Sequence, residues 1–266
     1  MRILPLLLAS ACALAFAAPA SAQFAATLNT GYSHVSLDQG GGDINVWDIG
    51  GQAAATIPGT GFNIQGDLGY NNLSGSGDSG NSWSGGGAAF WADDMLRAGA
   101  TANYDGFNGG GSGTVHITNY GGFGEWFAGM MTVGVKGGGL NLSVNQGGIS
   151  GSTTGAYVGG EVVGYAMPDL ALTGTIDYTD LSHGVHETDF TPQAEWLFSE
   201  DLPIAVYGGY TFSHVVIANS GSGNANTFFI GLRLYVNGNG SAALIDRQRT
   251  GTVGWGTAFS PLARAL

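Results

Sequence analysis

The sequence contains one lysine, Lys136, and one cysteine, Cys12, in 266 residues. Seven bases in all cannot furnish the charged faces of amphipathic helices, so a helical soluble domain is excluded. They cannot furnish the clustered cations that nucleic-acid phosphates require, nor a basic patch that docks onto an anionic membrane surface. Cys12 falls in an N-terminal leader, so an exported product has neither a disulfide nor thiol chemistry. Beyond that leader no run of about 18 apolar residues occurs, which excludes a membrane-spanning helix. The glycine-rich stretches lack Gly-Lys-Ser/Thr after a strand, and with it a phosphate-binding loop. Asp38-Gln39-Gly40-Gly41-Gly42-Asp43 stands alone, without the repeat that would make it a calcium-binding array.

Glycine, in contrast, is abundant: 49 residues, more than twice the usual share of about 7%. Doublets and triplets such as Gly85-Gly86-Gly87 do not follow the every-third-residue period of collagen. Aromatics at 11% and hydrophobics at 44% exclude a disordered chain. Charge is unevenly placed. Residues 23–236 hold Arg97, Lys136 and Arg233 against 18 of the 19 acids, whereas residues 237–266 hold Arg247, Arg249 and Arg264 against Asp246.

Residues 1–22 read as a signal peptide: Arg2, an apolar run from Ile3 to Ala18, and Ala20-Ser21-Ala22 as a small-residue cleavage site. After it, one pattern recurs. In Phe62–Tyr70, apolar Phe62, Ile64, Leu68 and Tyr70 alternate with Asn63, Gln65, Asp67 and Gly69, the period of a strand with one apolar and one polar face. The pattern returns in Leu170–Tyr178, Ile204–Phe212 and Phe228–Val236, and more weakly in Arg97–Asp105. Short turns such as Pro58-Gly59-Thr60 and Met167-Pro168-Asp169 alternate with long loops at Asp38–Asp43, Ser74–Asn81, Gly106–Thr114, Asn145–Gly155, Leu181–His186 and His214–Asn226. Five turns and six loops connect twelve strands.

Aromatics mark both strand ends. Trp91, Trp126 and Trp196 precede short turns, and Tyr32, Tyr70, Tyr104, Tyr178 and Tyr210 lie at the opposite ends. Eight steps of about 3.3 Å, tilted by about 40°, span roughly 20 Å, near the apolar band of about 25 Å of an outer-membrane barrel. A soluble sandwich would carry Lys and Glu on its outer faces and join its strands by turns of similar length. The fold expected is all-β: a closed antiparallel transmembrane β-barrel of about 12 strands over residues 23–236. Residues 237–266 form a C-terminal tail placed in the periplasm, where the sequence leaves three fates open: packing into the barrel mouth, contact with peptidoglycan, or disorder.

The leader, the repeated strand-turn-strand unit and the closing segment FFIGLRLYVN make the chain resemble the porin-like family of Gram-negative outer-membrane β-barrels. The resemblance implies residence in the outer membrane, contact with its lipid and lipopolysaccharide, and folding by the barrel assembly machinery. It departs from the family where 30 residues follow Val236, since such barrels commonly end at a terminal aromatic; Phe228, Phe229 and Tyr235 are then the candidate contacts of an internal recognition strand.

With the apolar face toward lipid, the other face lines the interior. The expected lining includes Asn63, Gln65, Asp67, Arg97, Asp105, Glu125, Lys136, Glu161, Asp177, Glu195 and Arg233, among many small residues. A lumen so lined is not filled by its own side chains, and an excess of carboxylates favours cations. The expected function is passive diffusion of small hydrophilic solutes with weak cation preference, without cofactor, metal or catalysis. The alternatives are an adhesin or structural anchor, and a lipid-hydrolysing barrel. The last rests on His34, Ser36 and Asn45, whose order resembles the His-x-Ser…Asn arrangement of outer-membrane phospholipase. His183 and His186, three apart in or beside a loop, lack the helix and the cysteine that would make a metal site of them.

Overall fold

The structure, a computed structural model, describes residues 24–38, 42–75, 79–109, 113–147, 149–182, 184–198, 201, 203–218, 221–237 and 242–254. The signal peptide, His183 and the last twelve residues lie outside the described residues. Twelve strands follow one another: β1 (Phe24–Leu37), β2 (Asp43–Thr56), β3 (Phe62–Gly75), β4 (Ser79–Ala92), β5 (Leu96–Asn108), β6 (Gly113–Ala128), β7 (Met131–Gln146), β8 (Ile149–Met167), β9 (Leu170–Leu181), β10 (Val185–Leu197), β11 (Ile204–Ile217) and β12 (Gly221–Asn237). Each pairs antiparallel with its sequence neighbours, and β12 closes on β1 from Ala25↔Asn237 to Leu37↔Ala225. No strand edge is left open, which is the condition for a sheet to sit in hydrocarbon.

Alternation sorts the side chains as the sequence predicts. On β3, Ile64 is 60% exposed on the outer face and Gln65 is 4% exposed on the inner one. Outward aromatics form two bands: Phe62, Trp91, Trp126 and Trp196 toward the short-turn end, and Trp47, Trp83, Tyr120, Tyr178 and Tyr210 toward the far end. Cross-strand register builds the bands, pairing Phe62 with Trp91, Tyr70 with Trp83 and Tyr32 with Trp47. At the short-turn end the chain reverses on local chemistry. Asp93 Oδ1 accepts from the amides of Met95 and Leu96 at 2.7 Å each, and Gly129 takes the left-handed φ of 54° that the two-residue link between β6 and β7 requires.

Four of the six long loops are corrected, while Asp38–Asp43 stays a connection apart from Asp43 and Leu181–His186 is strand only at its two ends. In the four, most of the length is strand: β3 runs to Gly75 and β4 starts at Ser79, β5 runs to Asn108 and β6 resumes at Gly113, β7 runs to Gln146 and β8 starts at Ile149, and β11 and β12 reach Ile217 and Gly221. Toward the far end the outer face turns polar, as at Ser36, Asn45, Asn72 and Ser143, while the inner face keeps an apolar cluster of Val35, Leu37, Ile44, Val46, Leu73 and Ala225, so the apolar-outside alternation fades. Backbone pairing does not need that alternation and continues. The strands at this end stand taller than the sequence reading allowed.

Of the placements open to the tail, the structure shows packing into the mouth. A helix, α1 (Leu244–Thr250), and the segment to Gly254 lie inside the barrel at the short-turn end. The Ile245 amide donates to the Pro168 carbonyl (3.1 Å) and the Leu244 amide to Asp169 Oδ1 (3.2 Å), both in the turn between β8 and β9. Leu244 is fully buried among Val163, Tyr165, Ala171, Leu197, Ala205 and Tyr235 on the β8–β12 wall. Val253 is equally buried among Ala54, Ala88, Phe90 and Phe123 on the β2–β6 wall. The tail therefore crosses the lumen from one wall to the other.

Candidate functional site

The charged lining forms cross-strand pairs. Arg97 and Glu125 are register partners on β5 and β6, with Nη2 2.5 Å and Nε 2.7 Å from Glu125 Oε2 and both side chains buried. On the nearly opposite wall Arg233 of β12 reaches past β11 to Glu195 of β10 at 2.5 Å. Its guanidinium lies 4.8 Å from the Tyr207 ring centre, and the Tyr235 hydroxyl donates to Glu195 Oε1 at 2.6 Å. Lys136 of β7 meets Asp177 of β9 at 2.9 Å, across the residue between them in register, Gly159 of β8. A Cβ at Gly159 would collide with the Asp177 carboxylate and come within 2.7 Å of the Lys136 side chain. Gly159→Val is accordingly expected to break this pair and lower the unfolding free energy by about 1–3 kcal/mol, read from urea denaturation in detergent.

Other predicted lining residues have different partners. Gln65 holds the tail: its Oε1 accepts from the Val253 amide (2.7 Å), and its Nε2 donates to the Val253 carbonyl (2.9 Å) and to Asp67 (2.7 Å). Gln52 donates to the same carbonyl at 3.1 Å, and Thr27 meets Thr252 at 2.7 Å. Arg97 Nη1 donates to the Gly251 carbonyl (3.3 Å), Tyr165 donates to Gln248 (2.8 Å), and Gln248 donates to Glu195 (3.3 Å). Arg249 donates to the carbonyls of Gly129 and Met131 and lies over the Phe127 and Tyr165 rings. Asn63 turns back to Thr56 and the Gly61 carbonyl at the mouth. Asp105 is on the inner face of β5, in register with Ser84 and Ile117, nearer the far end.

Between tail and far end is a cavity of about 420 Å³. Asn29, Asp48, Asp67, Glu161, Thr175 and Gln193 contribute to its wall, and Gln248, Arg249, Thr252 and Gly254 bring the tail to its edge. Arg97, Glu125, Glu195 and Arg233 also reach it, whereas Asn63, Gln65, Asp105, Lys136 and Asp177 do not line it. The expectation of an unfilled lumen is thus corrected at the short-turn end. There the tail and the inward Phe90, Phe123, Phe127, Tyr165 and Tyr235 fill the section. The small inward residues of the clearest strands point to an open lumen, whereas inward aromatics such as Phe90 and Phe127 stand beside outward tryptophans, as in Glu125-Trp126-Phe127, where alternation alone does not mark them.

No protein-family model and no curated protein matches the sequence. Solved structures do. The β domain of the Bordetella autotransporter BrkA superposes with a TM-score of 0.55 at 10% identity, over 80% of this chain and 99% of that one. The chain has the fold of an outer-membrane β-barrel. Looser similarity extends to KdgM porin, with TM-score 0.47 and 9% identity over 77% of this chain and 98% of that one. The anion-selective porin from Comamonas acidovorans follows with 0.43 and 11%, over 81% and 99%.

The outer face of the barrel carries the residues of the hydrolase alternative. His34 Nδ1 lies 2.9 Å from Asn45 Oδ1, so the histidine and the amide do meet. Nε2, the nitrogen that would have to take a serine proton, faces the Asp43 carboxylate at 3.8 Å. Among the described residues no group of three or more His, Cys, Asp or Glu is placed to hold a metal ion.

Proposed function

We propose that the protein is a porin-like channel of the outer membrane, conducting small hydrophilic solutes with a preference for cations, and that its own tail stops the periplasmic mouth. The carrying observation is the charge arrangement of the cavity. Arg97 and Arg233 on the wall are each matched by a carboxylate, and three further carboxylates, Asp48, Asp67 and Glu161, line it against one further base, Arg249 of the tail, so the wall carries a surplus of negative charge. A narrow passage with surplus carboxylates lowers the barrier for cations and raises it for anions. The apolar outer face with its two aromatic bands supports placement in a bilayer, with termini and short turns on the periplasmic side. Outer-membrane lipid, lipopolysaccharide and the assembly machinery are the partners this placement entails, with β12 as the recognition strand.

Reversal potentials in planar bilayers under a salt gradient test the reading. The protein is expected to favour cations once the tail is displaced, and Asp67→Asn with Glu161→Gln to bring the permeability ratio toward unity. Anion selectivity, or no current after the tail is removed, would overturn it.

A further inference from the structure

Every histidine described in the structure is on the outer face near the far end: His34 on β1, His116 on β6, His186 on β10 and His214 on β11. Each is tied into its wall through Nδ1. His34 and His214 face the side-chain oxygens of Asn45 (2.9 Å) and Asn224 (2.7 Å). An amide oxygen only accepts, so both rings donate from Nδ1 and keep Nε2 for a second proton. His116 and His186 face the hydroxyls of Tyr104 (2.8 Å) and Tyr178 (3.2 Å) and stack on those rings at 25° and 13°. Tyr104 in turn packs on Trp83, and Tyr32 packs on Trp47, so the histidines stand one step beyond the upper aromatic band.

No other cation shares this surface. Among the described residues Arg97, Lys136 and Arg233 point inward and Arg247 and Arg249 are in the tail, which leaves the outer face without lysine or arginine. Three carboxylates sit near the imidazoles: Asp43 of β2 at His34, Asp180 of β9 at His186, and Asp38, which accepts from Asn224 beside His214. The strands flanking His116 face it with Gly106 and Ser143 in register and with Tyr104 on the diagonal, and with no charge. Imidazole is the side chain that gains charge in the mildly acidic range. With both ring nitrogens protonated, the four imidazoles outnumber the three carboxylates beside them.

We propose that this histidine belt is a pH-dependent contact surface for the anionic headgroups of the lipid leaflet around the far end. The inference rests on the membrane placement given under the proposed function and adds the lipid class that the wall selects. The aromatic band fixes the height, since such rings settle at the headgroup level. A positive charge at that level gains about 1 kcal/mol from anionic lipid, or about fivefold in relative binding.

The test reconstitutes the full chain in bilayers of brominated phosphatidylcholine or brominated phosphatidylglycerol and reads quenching of tryptophan fluorescence at about pH 7.5 and about pH 5.5. The association constant for phosphatidylglycerol relative to phosphatidylcholine is expected to rise about fivefold or more on acidification. His34→Gln, His116→Gln, His186→Gln and His214→Gln combined should abolish that rise while leaving quenching by phosphatidylcholine unchanged, which also shows that the variant has folded. An equal rise in the variant, or none in the natural protein, overturns the belt. Failure of brominated phosphatidylcholine to quench overturns the membrane placement itself and is thereby told apart.

Discussion

Deleting residues 238–266 is expected to convert a stoppered barrel into one that conducts continuously. The tail fills the short-turn end by setting Leu244 against one wall and Val253 against the other, with no exposure left to either. Polar contacts at Gln65, Gln52, Thr27 and Tyr165 fix it between them. All twelve strands and the seam from Ala25↔Asn237 onward lie outside the deletion, so the wall keeps its pairing. Planar-bilayer recording of the truncated chain should show sustained current where the full chain shows rare openings. A single change grades the effect. Leu244→Ala removes a fully buried side chain at a cost of about 2–5 kcal/mol, so the ratio of seated to unseated tail falls at least about 30-fold and openings become frequent. Identical conductance in full-length, truncated and Leu244→Ala proteins would show that solutes do not pass through this mouth.

Arg97→Ala is expected to be the most damaging single substitution in the wall. Arg97 and Glu125 are both almost wholly removed from water, and taking away the base leaves a carboxylate in a site of low polarity beside Phe90 and Phe127. Breaking such a pair costs about 3–5 kcal/mol, whereas replacing both members by apolar residues of similar volume costs far less. Urea titration followed by heat-modifiable gel mobility should therefore show a large loss for Arg97→Ala and a small one for Arg97→Met combined with Glu125→Leu. The same substitution removes the contact with the Gly251 carbonyl, so loosening of the tail should accompany the loss.

The wall was legible in the sequence and its contents were not. Strands such as Phe62–Tyr70 declare their faces because each side meets one solvent along its whole length, hydrocarbon outside and polar groups inside. Five strands, the closing segment among them, follow from local periodicity, and the count of twelve follows from the alternation of turns and loops. The far ends carry no such signal, because the outer face there is polar and the apolar residues that remain, such as Val35, Val46 and Ala225, face inward; paired strand there looks like loop in the sequence. The ion pairs depend on register: Lys136 and Asp177 are 41 positions apart, and only the ladder through Gly159 places them together. Gln65 looks like any inward polar residue; nothing in its neighbours announces that it holds Val253. One clue to the tail was present, the basic character of residues 237–266 set against an acidic barrel, but charge alone does not distinguish a segment lying inside the mouth from one lying outside it.

The tail also sets an order of events. Its contacts come from Thr27 on β1, Gln52 on β2, Gln65 on β3, Arg97 on β5, Thr132 on β7, Tyr165 on β8 and Glu195 on β10, most of the circumference. Those groups face one another only when the first and last strands have joined. A half-zipped sheet offers no socket, so seating the stopper is the final act of maturation and reports that the cylinder is complete.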